Sequence, residues 1–422
     1  MYVAIVIFEE IMTDNDPDRG VHNRRQFLRI GGASAIGMTG LAGCLTGGGS
    51  GGGAASGDGT TASGETTSGG SGSTDSSTDD SGTNGSSGDD GSSMDFGGKN
   101  ISVILNVGPI STVHKKFLIP RVEEKYNLSI NTQTAVTTDQ LTQLQANPDS
   151  PPDVLIPDVI GIQRASQMGW LEPLSDHTDI VTELDNIYEK FVHYDSQGVS
   201  WEVGEVLPII NTSMWDSPPS AHAAAMQESS STAAVPFSWS GGPYLLLMAS
   251  AIATGEPFDS KLDVDAGFNW LQENFESNVS TTYQGVASAK QQLASGNVDT
   301  LNLFWDYMVF DMWQQDAPID PLFRLEPKGI AFAESVAVPN GSNNMDAALA
   351  YANECLSPQF QEQASAEMGC GVTNKNASVA PAAKEFGATT SDEFDQLAFP
   401  DFEYIWNNRS DWGQRWNQIF SG

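Results

Sequence analysis

From Lys99 onward the chain alternates short apolar runs with stretches of helical spacing. Ile101–Val107 (ISVILNV) predicts a strand that stops at Gly108-Pro109, and between Ser111 and Tyr126 the residues Val113, Phe117, Leu118, Val122 and Tyr126 recur close to every third or fourth position, which predicts a helix. Leu128–Ala135 alternates as a strand, Thr137–Ala146 opens with Thr137 and Gln140 in capping-box positions, and Asp153–Pro157 (DVLIP) is a short buried strand bounded by prolines. Strand and helix at this pace predict an α/β fold whose mixed, mostly parallel sheets carry helices on both faces. Ligands of such sheets sit beyond the carboxyl ends of the strands. That singles out two loops, Asn106–Ile110 and Asp158–Gly161.

Further along, Val206–Met214 (VLPIINTSM) and Ala233–Phe237 (AAVPF) predict buried strands. The second delivers Ser238-Trp239-Ser240-Gly241-Gly242 to an apolar helix, Pro243–Ala253. A Ser- and Gly-rich turn at a helix N-terminus offers free N–H groups to an anion, so Ser238 and Ser240 are candidate ligand contacts; a plain cap with close-packed glycines fits the same residues. Helices follow at Phe268–Phe275 and Ser288–Ala294, then strands at Thr300–Trp305 (TLNLFW) and Gly329–Pro339 (GIAFAESVAVP). Acids beside aromatics at strand ends make Trp305, Asp306, Phe332 and Glu334 a candidate cluster for an ammonium group. Core aromatics with solvent-facing acids would give the same pattern.

Ahead of this body, residues 45–98 are nearly all Gly, Ser, Thr and Asp, without a single Lys or Arg. Such a segment buries too little apolar surface to offset its ordering entropy and reads as a flexible tether with an end-to-end distance of roughly 40 Å. Asn23–Cys44 (NRRQFLRIGGASAIGMTGLAGC) has a charged head, a weakly apolar run and small residues before a cysteine, the layout of an export signal. Its RRQFLR resembles twin-arginine signals and its LAGC is similar to a lipobox, implying a lipid anchor at Cys44 on the outer face of the membrane or in the periplasm. The apolar piece Tyr2–Phe8 is far short of the roughly 20 residues that span a bilayer, and Met12 is an alternative start.

Charge narrows the partners. With 54 acidic against 19 basic residues, a net charge of −35, the chain lacks the basic face a phosphate backbone requires, so no nucleic-acid partner is expected. The acids are spread along the whole chain, as on a salt-adapted surface, rather than gathered for cation selection. Apart from Cys44 there are Cys355 and Cys370, near a helix end and in the loop after the next helix, which fits either a disulfide or two reduced thiols. The five histidines are scattered and no CxxC occurs, so neither a metal nor another cofactor is expected. Catalytic elbows and zinc motifs are absent too, leaving a secreted enzyme and a ligand-free surface protein as rival readings.

Three C-terminal stretches carry a family resemblance. Glu326–Pro339 (EPKGIAFAESVAVP), Asn344–Asn353 (NMDAALAYAN) with Leu356-Ser357-Pro358, and Gly371–Asn374 (GVTN) resemble spermidine/putrescine-type solute-binding proteins, and DVLIP with Gly169–Leu174 (GWLEPL) extends the likeness toward the N-terminus. The resemblance implies a two-lobed periplasmic-binding-protein type II fold with hinge strands. It divides residues 99–422 into one lobe of 99–207 plus 326–422 and another of 208–325. Implied too is a monomer that captures a small solute, a polyamine or other cationic organic molecule, and hands it to an ABC-transporter permease. Trp305 then corresponds to a ligand-stacking tryptophan, Phe332 stands where another tryptophan is usual, Glu334 stands for an amine-binding aspartate, and Asp158 lies in a ligand loop. The loop Asn106–Ile110 has no aromatic, and Val159-Ile160-Gly161 replaces expected tyrosines, so ferric ion, thiamine, a carboxylate or a sugar stay open as ligands.

Overall fold

The computed structural model describes residues 94–420. The export signal, Cys44 and nearly all of the Gly/Ser/Thr/Asp segment lie outside the described residues. Before Lys99 the chain is already packed: the Phe96 ring lies 6.2 Å from that of Tyr126, and Asp95 accepts from the Gly97 N–H and the Asn127 amide.

Three parallel strands open the body. Lys99–Leu105 is central, flanked by Leu128–Thr134 and Val154–Leu155, with Ile101 opposite Ile130 and Val103 opposite Val154. Parallel strands need crossovers, and helical segments provide them. The first, Pro109–Tyr126, buries Val113, Leu118, Val122 and Tyr126 of the stripe its spacing predicts, adds Ile110, and leaves Phe117 half-buried. Its middle turn, His114–Leu118, is widened to a π-helix just before Pro120, which has no N–H to give the i−4 carbonyl. The second, Thr137–Ala146, differs from expectation at its start. Val136 is the N-cap and no side chain caps the helix; Gln140 instead donates to the Ala135 and Ile156 carbonyls, tying the helix to the third strand.

A mixed eight-stranded sheet is built around Glu202–Asn211, all ten residues of which are buried. Thr300–Trp305 and Gly329–Phe332 flank it antiparallel, pairing Trp305 with Val206 and Phe332 with Gly204. Beyond Thr300–Trp305, the strands Thr232–Ala234 and Val279–Thr282 run parallel. The central strand begins four residues before the expected Val206, because Glu202 and Glu205 are ladder residues with wholly buried side chains, and acids in that setting do not read as strand. A small antiparallel sheet of Val192–His193, Gly198–Ser200 and Ser335–Val336 completes the strand framework.

Helix Gly241–Thr254 is apolar on every side and buried over eleven consecutive residues. Phe402–Phe420, the last helix, packs Trp416 on Phe237, Phe420 on Phe275 and the Tyr404 hydroxyl on the Leu262 carbonyl. The same helix also touches helix Val159–Gln167, where Arg164 lies over the Trp406 ring. Cys355 closes helix Met345–Cys355, Cys370 follows helix Pro358–Met368, and both are buried free thiols. Among the described residues no helix is long and apolar enough to cross a membrane.

Candidate functional site

Six strand ends converge on one cavity of about 460 Å³. From the three-stranded sheet come Asn106, Thr137 and Asp158, each just past the carboxyl end of its strand; from the eight-stranded sheet come Ser238, Gly285 and Trp305, placed in the same way. Strand-end loops supply ligand groups because backbone and side chains there are not used up by the ladder.

Its polar wall is a linked set of side chains. Glu334 is 1% exposed and accepts from the Asn106 side-chain amide at both carboxylate oxygens, 2.9 and 3.0 Å away. The amide is held for this by its own oxygen, which accepts from the Val107 N–H at 2.8 Å. Asp158 and Glu334 are opposed in an antiparallel β-bridge, so two carboxyls share one buried corner. Asp158 also caps helix Val159–Gln167, accepting from the Gly161 N–H at 3.0 Å. Gly161 is glycine for a steric reason: a Cβ there would collide with the Thr137 methyl group.

Burial raises the pKa of Asp158, against the opposing effects of the Gly161 N–H and the Arg409 charge. Burial also pushes Glu334 well above the usual carboxylate range, and the neighbouring Asp158 adds to the shift. Among the described residues neither acid has a basic side chain within ion-pair distance. Glu202, behind Glu334, accepts from the Glu334 N–H at 2.6 Å and is likewise raised well above its ordinary value by burial.

Another part of the lining is aromatic. Trp305 lies 5.7 Å from Trp239 and 5.8 Å from Phe332, and Tyr307 lies 6.3 Å from Phe332 (centroid distances). All four, with Met308, line the cavity. Such ring faces and edges suit an alkyl chain or a cation. The Trp305 indole N–H is buried without a partner among the described residues. Trp406 and Arg409 reach the cavity from the last helix.

Of the residues singled out from sequence, Trp305, Phe332, Glu334, Asp158, Ser238 and Ser240 line this cavity together. Asp306 does not. Successive strand residues face opposite ways, so its carboxylate turns under Gly204 and accepts from the Glu205 and Tyr307 N–H groups at 3.1 and 2.7 Å. Sequence reasoning marked Asn106 only as the start of a candidate ligand loop and passed over Thr137, Trp239, Tyr307, Met308, Trp406 and Arg409 as ligand contacts. For Arg409 a signal was present: four residues after Ile405 and three before Trp412, it falls within the apolar stripe of Phe402, Ile405, Trp412 and Trp416, where an arginine is out of keeping with plain packing. No group of three or more His, Cys, Asp or Glu among the described residues is placed to hold a metal ion.

Residues 118–390 match the family described as bacterial extracellular solute-binding protein, and the chain belongs to that family. It is similar in fold to an ABC transporter protein from Clostridium perfringens, with 16% identity and a TM-score of 0.63 over 76% of this chain and 99% of that one. It is also similar to the binding protein AgtB from Agrobacterium tumefaciens, solved with agropinic acid, at 16% identity and a TM-score of 0.61 over 77% and 99% of the two chains. Iron-bound HitA from Pseudomonas aeruginosa shares the fold at 12% identity and a TM-score of 0.59, over 74% and 99%. Among curated proteins, no sequence matches.

Proposed function

We propose that this protein is the solute-capturing component of an ABC importer. It holds a small organic solute with an ammonium group in the cavity between the two sheets and releases it to the permease. The polyamine class is the first candidate, and export by the twin-arginine route with a lipid anchor at Cys44 would keep the protein at the outer membrane face. The observation that carries this reading is the paired, buried Asp158 and Glu334, without an ion-pair partner among the described residues and in one cavity with four aromatic rings. A buried carboxylate needs a cation or a proton. An ammonium ligand supplies the cation.

Support for a closing motion comes from the adjacent strands Glu202–Asn211 and Gly329–Phe332, which lie where the chain would pass between lobes and return, so that the ligand is clamped as they flex. The ligands of similar folds, agropinic acid and iron, differ in kind, so ligand class has to be read from this cavity and not from the fold. The test is a thermal-shift screen of the full-length chain in high salt against polyamines, monoamines, amino-acid derivatives, thiamine, ferric ion and short sugars. Saturable stabilisation by amine-bearing compounds alone is the expected result. Stabilisation by ferric ion or a sugar, with none by amines, would overturn the ammonium assignment, and turnover of any compound would overturn the transport role.

A further inference from the structure

Arg409 gives the cavity a second charge that an amine-only solute leaves unused. It sits on helix Phe402–Phe420, lines the cavity beside Trp406, and donates to the Ser238 carbonyl at the start of the buried helix Gly241–Thr254. Every other arginine of the described chain has an evident task. Arg121 pairs with Glu354, Arg324 with Glu205 and Glu393, and Arg415 with Asp265, while Arg164 lies over the Trp406 ring at 5.3 Å. Among the described residues, no carboxylate comes within ion-pair distance of Arg409. Burial weakens its hold on its proton, and Asp158 at longer range strengthens it. A guanidinium carries five N–H donors in a fixed fork, and one carbonyl acceptor leaves most of that fork directed elsewhere. The Trp305 indole N–H is another buried donor in the same cavity without a partner.

We propose that Arg409 is an anion subsite and that the solute is zwitterionic, an amino carboxylate whose ammonium meets Asp158 and Glu334 while its carboxylate meets Arg409. This rests on the solute-binding reading above and, among its ammonium-bearing ligands, puts amino carboxylates ahead of polyamines. A diamine would bring its second ammonium toward the guanidinium, and like charges in a small low-dielectric space repel. A plain carboxylate would have to enter a protein of net charge −35 and lie near two buried acids. A zwitterion avoids both penalties. The carboxylate–guanidinium pair is the bidentate arrangement in which arginine is strongest.

Four five-carbon probes separate these cases by titration calorimetry on the full-length chain: 1,5-diaminopentane, pentylamine, 5-aminopentanoate and norvaline. At least one of the two zwitterions should bind tenfold or more tightly than both amines. Arg409→Gln should erase that preference, weakening the zwitterion by ten- to a hundredfold and strengthening 1,5-diaminopentane, whose second ammonium is no longer repelled. Arg409→Lys keeps the charge but not the fork and should fall between the two; it also serves as the readout if Arg409→Gln folds poorly. Amines binding as tightly as the zwitterions, or a zwitterion affinity that neither Arg409 variant changes, would overturn the proposal while leaving an ammonium site intact. Failure of all four probes to bind folded protein would remove the ammonium site as well.

Discussion

Two groups of buried acids lie at and behind the cavity, and they are neutralised differently. On the side away from the cavity, Glu205 is paired with Arg324 at 3.1 Å and accepts from the Arg324 N–H, while Asp306 accepts from two backbone N–H groups. On the cavity side, Asp158 and Glu334 have the Asn106 amide, one backbone N–H and no basic partner at ion-pair distance among the described residues. Residue type and burial are the same in both places. The difference shows which acids belong to the fold and which are kept for something that enters: a buried carboxylate with its own cation is structural, and one without is a binding group or carries a proton.

The largest effect that would sharpen this contrast is on the structural side. Glu205→Ala takes from Arg324, whose side chain is 18% exposed, its buried partner and leaves it only the partly exposed Glu393, and should cost about 3 kcal/mol in urea denaturation without changing ligand preference in the folded protein. A variant as stable as wild type would erase the distinction. Glu334→Gln should do the reverse: affinity for an ammonium-bearing solute drops about ten- to a hundredfold, or roughly 1.4–3 kcal/mol, and the melting temperature stays close to that of wild type. Equal losses for charged and uncharged ligands would show that the carboxylate does not read charge.

Proton uptake gives an intermediate effect. Burial raises Asp306 to about 8 and Glu205 to about 7, so the folded protein holds protons that the unfolded chain gives up near pH 4. Stability from these groups is therefore fully present below about pH 4 and is lost as pH rises through about 8. Melting temperature against pH should show that decline, and Asp306→Asn should flatten its upper part; an unchanged slope would mean Asp306 does not titrate there. Smallest should be Asp158→Asn. Asparagine caps a helix nearly as well as aspartate, so stability should move by less than about 1 kcal/mol. Calorimetric affinity for an amine should fall less than in Glu334→Gln, because Asp158 has the longer-range help of Arg409.

How much of this was legible in the sequence follows the range of the interactions. Thr300–Trp305 was readable to the residue because four of its six side chains are apolar or aromatic and local pattern decides. The start of Glu202–Asn211 was not, since its acids are tolerated only through Arg324, 119 residues from Glu205, and through the Glu334 N–H, 132 residues from Glu202. Trp305, Phe332 and Glu334 were found from acids and aromatics at strand ends and from the resemblance. Their partner Asn106 is 228 residues from Glu334, a pairing no local pattern contains. Asp306 was misplaced because the alternation that turns Trp305 into the cavity turns the next residue away. Arg409 was overlooked because the residues on either side of it along the same stripe, Ile405, Trp412 and Trp416, read as a packing helix.

The most direct test of solute capture by this cavity is a tryptophan-fluorescence titration of the full-length chain with 5-aminopentanoate and with 1,5-diaminopentane. Trp239, Trp305 and Trp406 line the cavity and would report its filling. The account predicts a saturable change for at least one of the two, weakened at least tenfold in Glu334→Gln. A saturable change that Glu334→Gln leaves untouched, or none from either compound with folded protein, would contradict it.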